Sequence, residues 1–167
     1  MTEQASHRLP ADSDVDLHEP AQRTELRRAP WAVLGVISLG GTLGATARYA
    51  LGRAYPQDPT GFPWTTFIIN VSGCLLLGAL MVLVTEVWPR QRLVRPFFGV
   101  GVLGGFTTFS TYIGESVRLI DAGAAVTALE YLAGTVVAAM AGTWVGLGAA
   151  RGALRLRRLV AGTGGAR

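Results

Sequence analysis

The stretch Gly104-Gly105-Phe106-Thr107-Thr108-Phe109-Ser110-Thr111 decides how this chain is read. It lies in the middle of an apolar run, Phe97 to Val117, that is long enough to cross a bilayer. A spanning helix ordinarily fills its centre with Leu, Ile and Val. This one puts two glycines and four hydroxyls there. Polar and backbone groups at membrane depth persist only where protein or a watery cavity receives them. The stretch therefore predicts a helix interrupted at the membrane midplane, the kind of break that marks ion or substrate sites in transporters and channels.

Working outward, charges are excluded from four blocks: Trp31–Ala47, Trp64–Thr85, Phe97–Val117 (which holds only Glu115) and Tyr131–Ala150. A span needs about 20 residues, so the chain reads as an all-α membrane protein of four helices, near 31–52, 64–88, 96–118 and 124–150. Trp31, Trp64 and Trp88 stand at block edges, as an interfacial aromatic belt requires. Residues 1–29 are polar, with an acidic patch at Asp12, Asp14, Asp16 and Glu19, and read as a disordered tail. A signal peptide is the weaker reading, because the segment before the apolar run is too long and too acidic. Residues 151–167 form a basic tail, in which Arg151, Arg155 and Arg158 recur at helical spacing; it suits either anionic lipid or a purely topological role.

Composition excludes several classes. The connectors 48–63, 89–96 and 118–123 are too short for a soluble catalytic domain. The one cysteine, Cys74, permits no internal disulfide, and both histidines, His7 and His18, lie in the N-terminal tail. A Ser-His-Asp arrangement or a zinc site in the membrane is thus excluded, as is the P-loop pattern of nucleotide hydrolysis. The basic balance is all arginine, gathered at block edges, so membrane topology explains it better than nucleic acid. With the N-terminus on side one, and counting the arginines nearest the blocks, ten (23, 27, 28, 90, 92, 95, 151, 155, 157 and 158) fall on that side and three (48, 53 and 118) on the other. That bias puts both termini in the cytoplasm and nearly every copy in one orientation.

The polar residues within the blocks form a constellation. Asn70 follows Thr66 by four and precedes Gly73 and Cys74; its amide carries two N–H donors, which suit an anion, although interhelical hydrogen bonding is the plainer role. Phe106, Phe109 and Tyr112 recur every three residues among hydroxyls, and aromatic ring edges are positive enough to face an anion. Glu115 follows one turn later, at the water-reaching end of its block. Thr135 and Thr143 share a face of the fourth block with Ala139 between them; back-bonding to their own helix is the plainer reading. Glycines spaced four apart, Gly40/Gly44, Gly101/Gly105 and Gly142/Gly146, allow close helix approach.

Taken together, Gly41-x-x-Gly44-Ala45-x-x-Arg48-Tyr49, Asn70-x-x-Gly73 and the 104–111 stretch with Glu115 resemble the Fluc (CrcB-type) fluoride channels of microbes, over residues 33–148. The resemblance implies a passive fluoride channel in the inner membrane, built as an antiparallel dimer of four-helix subunits with two pores. It implies a structural, untransported sodium ion at the dimer centre, held by backbone carbonyls that map onto Gly104 and Thr107. It maps a pair of pore aromatics onto Phe109 and Tyr112, a pore asparagine onto Asn70, a vestibule acid onto Glu115, hydroxyls onto Ser110, Thr111, Thr135 and Thr143, and a motif arginine onto Arg48. Two positions depart from the family's pattern: Tyr112 stands where phenylalanine is usual, and Ala139 interrupts the hydroxyl track. An antiparallel homodimer needs chains that insert both ways, so the arginine bias favours a heterodimer with a related subunit of opposite bias. Two other readings stay open: a non-conducting partner subunit, and a proton-coupled exporter of small cations with Glu115 as its acid.

Overall fold

The computed structural model describes residues 31–163, with side chains to residue 159. The expected tail at 1–29 lies outside the described residues. Every regular element among the described residues is helical: α1 (Trp31–Ala54), α2 (Trp64–Glu86), a π-helical segment (Arg95–Leu103) running into the short α3 (Gly104–Phe106), α4 (Ser110–Asp121) and α5 (Ala125–Thr163). By length and composition, Trp64–Glu86, Arg95–Asp121 and Ala125–Leu159 can each cross a membrane. The 24-residue α1 falls below that measure because glycines and Arg48 dilute its apolar run, yet its length, about 36 Å at 1.5 Å per residue, also suffices. This is a multi-pass α-helical membrane protein into which four spans fit.

Proline and glycine set several boundaries. Pro63 precedes α2, and Pro96 opens the π-helical segment, where a missing N–H is tolerated. Between α4 and α5, Gly123 adopts φ +79°. Its N–H donates to the Ile120 carbonyl (2.9 Å) and the Ala124 N–H to that of Leu119 (2.8 Å). This paired closure of a helix end requires a left-handed residue, which glycine supplies without a Cβ clash. Helix α5 continues past residue 150, so Arg151, Arg155, Arg157 and Arg158 ride on it, and Arg158 pairs with Glu86 at the end of α2 (3.3 Å).

Interlocked small residues hold the bundle. A Cβ on Gly40 or Gly44 would strike the carbonyl of Phe97 or Val102, and one on Gly101 or Gly105 would strike that of Ile37 or Gly41. Helix α1 therefore lies backbone to backbone on the 95–106 stretch, each contributing its own glycine pair. Gly142 and Gly146 of α5 meet the Val71 and Leu75 carbonyls of α2, and Gly78 of α2 meets Thr143 in return. Where lipid tails are as apolar as leucine, such close approach, with its dispersion and hydrogen bonding, replaces the hydrophobic drive. A smaller apolar core of Tyr112, Leu119, Ala128 and Tyr131 closes one end of the bundle, flanked by Phe62, Phe67 and Leu132.

Candidate functional site

The site starts where helical hydrogen bonding stops. The Thr107 N–H and hydroxyl both donate to the Leu103 carbonyl (3.0 and 2.9 Å), ending the first run. Thr107 then turns extended, with φ −75° and ψ 160°. Asn70 on α2 holds the next residue at both of its backbone groups: Thr108 N–H donates to Asn70 Oδ1 (2.9 Å), and Asn70 Nδ2 donates to the Thr108 carbonyl (3.0 Å). The Thr108 hydroxyl accepts from the Thr111 N–H (3.1 Å) and donates to Thr111 Oγ1 (3.1 Å), starting α4, with Ser110 Oγ at 3.4 Å. Gly73 is needed here, since a Cβ on it would collide with the Thr107 methyl.

In an unbroken helix the N–H of Thr108 would close on the Gly104 carbonyl and that of Thr111 on the Thr107 carbonyl. Both donors are engaged elsewhere, by Asn70 and by the Thr108 hydroxyl. The Gly105 carbonyl accepts instead from Arg48 Nε (3.1 Å), a cation placed at the negative end of a helix. The resemblance marked Arg48, but its partner follows only from the contact between α1 and the 95–106 stretch.

A cavity of ≈ 330 Å³ lies beside the interruption, and its walls include Asn70, Cys74, Thr107, Phe109, Tyr112 and Thr135. Thr135 is buried, and its hydroxyl has no hydrogen-bond partner among the described residues. Asn70 uses one of its two amide hydrogens on Thr108. The Phe109 and Tyr112 rings stand 5.8 Å apart at 47°, but in unlike settings: Phe109 is 74 % exposed, whereas Tyr112 is buried. The Tyr112 hydroxyl donates to the Leu132 carbonyl on α5 (2.6 Å). Ala139 lines the cavity, while Thr143 back-bonds to the Ala139 carbonyl (3.0 Å) and is not part of this wall. Ser110 faces outward and exposed.

Glu115 is buried and bonded from several sides. Its Oε1 accepts from the Thr66 hydroxyl (2.9 Å) and from Gln57 Nε2 (3.3 Å), and its Oε2 from the Tyr131 hydroxyl (2.8 Å); Arg118 lies 4.0 Å away. The sequence reading included neither Tyr131 nor Gln57. Tyr131 carried a signal, since it precedes Thr135 by one turn on the same face. Gln57 carried none, because it lies in the α1–α2 connector, where no periodicity fixes direction. Outside the membrane, Asp58 accepts the Thr60 N–H (2.9 Å) and hydroxyl (3.0 Å). These bonds hold its carboxyl below the ordinary carboxylate range.

An interruption within the apolar Arg95–Asp121 segment, beside a cavity lined by Asn70, Thr107 and Thr135, places a polar pocket inside a multi-pass α-helical membrane protein. The profile of the family described as CrcB-like protein, Camphor Resistance (CrcB), matches residues 35–147, and the chain belongs to that family. A protein of Nocardia farcinica (strain IFM 10152) named fluoride-specific ion channel FluC 2 is 58% identical over 120 residues, 72% of this chain and 86% of its own length. Streptomyces avermitilis has a FluC 2 that is 52% identical over 122 residues, 73% of this chain and 77% of its own length. The same organism has a FluC 3 that is 47% identical over 146 residues, 87% of this chain and 70% of its own length.

Proposed function

We propose that this chain is a subunit of a fluoride-specific channel of the inner membrane, with both termini cytoplasmic, through which fluoride leaves the cell down its electrochemical gradient. The observation that carries the reading is the unpartnered, buried Thr135 hydroxyl in the cavity beside the interruption. A buried donor without an acceptor costs about 1–3 kcal/mol, and a small anion that accepts hydrogen bonds strongly would relieve that cost. The second amide hydrogen of Asn70 and the ring edges of Phe109 and Tyr112 line the same space. Thr111 lines a neighbouring cavity together with Glu115, and Ser110 stands exposed beside it.

On this reading the interruption lies at the bilayer midplane. Gly104, Phe109 and Ser110 are exposed in the single chain, although lipid tails satisfy neither a free carbonyl nor a hydroxyl. An inverted second subunit docked there would cover them. The carbonyls of Gly104 and Thr107, with their counterparts, form an all-oxygen donor set that suits a hard monovalent cation, and these residues would hold structural sodium. When bound, that ion supplies fixed positive potential beside the anion path. The arginine bias favours a partner of opposite bias, and the coexistence of FluC 2 and FluC 3 in one Streptomyces species is compatible with such pairs.

Two features favour a narrower second role, a subunit whose own pore conducts poorly: the engaged Tyr112 hydroxyl and the Ala139 gap in the hydroxyl row. A cation exporter fits less well, because Glu115 is already bonded by three neutral donors. The test is fluoride efflux from liposomes holding this chain alone or with its related subunit, in sodium and in sodium-free buffer. Fluoride-selective efflux that collapses without sodium is expected. Assembled protein that passes no fluoride, or passes chloride equally well, would overturn the reading.

A further inference from the structure

Two chambers flank Glu115. One, of ≈ 260 Å³, is lined by Arg48, Thr66, Thr108 and Thr111. The other, of ≈ 400 Å³, is lined by Asp58, Pro59, Arg118 and Ala122. Three residues line both: Gly52, Gln57 and Glu115. Gly52 contributes no side chain, and a Cβ placed on it meets nothing within 4 Å. The side-chain contact common to both chambers is therefore Gln57–Glu115, with the exposed Gly52 beside it.

The bonds on Glu115 differ in kind. Thr66 and Tyr131 donate from helices, at 2.9 and 2.8 Å. Gln57 donates from the α1–α2 connector, at 3.3 Å to Glu115 and 3.5 Å to Thr66. Its amide is the longest-bonded donor, and its backbone is outside any helix. Without the Gln57 bond, Glu115 would keep two donors. The freed N–H then faces the passage, where an anion crossing beside a carboxylate most needs a donor.

We propose that Gln57 is a positioning residue of the ion path: its side chain passes an N–H between Glu115 and the travelling anion at a passage bounded by Gly52. The proposal rests on the channel reading above. It is tested by fluoride efflux from liposomes containing the assembled protein, with Gln57→Ala, Gln57→Glu and a series Gly52→Ala, Gly52→Val, Gly52→Leu. Gln57→Ala is expected to slow efflux about tenfold and Gln57→Glu to slow it further, while the Gly52 series falls in step with side-chain volume. As a measurement independent of folding, Gly52→Cys protein is assayed before and after a methanethiosulfonate reagent, with wild-type protein, whose cysteine is Cys74, treated in parallel. Loss of flux on labelling Cys-bearing Gly52→Cys protein, beyond the loss in wild type, supports the passage. Wild-type-like flux in labelled Gly52→Cys protein or in assembled Gly52→Leu protein overturns it and leaves the channel reading standing. A wild-type protein that passes no fluoride removes both.

Discussion

Asn70 and Thr135 line one cavity, yet their substitutions separate stability from conduction. Asn70→Ala deprives the Thr108 N–H and carbonyl of their partners at once. Unpairing buried backbone groups costs about 1–3 kcal/mol, so both thermal stability in detergent and fluoride flux should fall. Asn70→Asp keeps an acceptor for the Thr108 N–H but sets a carboxylate against the Thr108 carbonyl, and should be no better. Thr135→Val removes a hydroxyl that has no partner to lose. Stability should hold or rise slightly, while flux drops. A thermal-melting series read beside liposome efflux checks both; a destabilised Thr135→Val would mean that the hydroxyl has a structural role.

Elements are set by how closely backbones approach. Gly44→Ala drives a Cβ into the Val102 carbonyl, whereas Gly35→Ala on the same helix meets nothing within 4 Å. Both gain the same helix propensity, so the comparison isolates packing. Gly44→Ala should lose about 1–3 kcal/mol through overpacking and fail to assemble; Gly35→Ala should elute and melt like wild type. The Arg158–Glu86 pair joins α5 to α2 from exposed positions. Such pairs contribute about 0–1 kcal/mol, so Arg158→Ala should leave the melting temperature nearly unchanged. The α1–α2 connector titrates separately. Because the Asp58 carboxyl sits below its ordinary value, the Thr60 contacts stabilise the turn above that value, about 3.9, and are lost only as pH falls through the lowered one. The protection factor of the Thr60 amide, its exchange rate relative to the intrinsic rate at each pH, should stay constant from neutral pH to about 5 and fall only in stronger acid.

At the scale of the whole molecule, the proposed orientation rests on the arginines. Arg48, counted with side two, donates to Gly105 within the bundle, which leaves Arg53 and Arg118 on that side of the described chain. Replacing Arg90, Arg92 and Arg95 with Ala and adding Thr60→Arg should convert single into mixed insertion. Reporters fused to the C-terminus would show it: wild type on one side, the variant on both. Equal two-way insertion of wild type would remove the argument for an unlike partner and favour a homodimer.

Local sequence determined the class of this protein. The lengths of the apolar blocks, the hydroxyls amid the third block, the glycine pairs and the placing of arginine each depend on neighbouring residues and on partition between water and lipid. Nothing beyond the chain's own order is needed to read them. Tertiary structure alone decided which polar group meets which. Asn70 and Thr108 are 38 residues apart, Arg48 and Gly105 57, Gln57 and Glu115 58. Whether Tyr112 donates to a carbonyl or to a cavity, and whether Thr135 or Thr143 faces that cavity, turns on the rotation and register of packed helices. A shift of one residue rotates a side chain by about 100° at 3.6 residues per turn. Backbone-to-backbone glycine contact fixes that rotation, so the hydrogen-bond partners are properties of the assembled bundle.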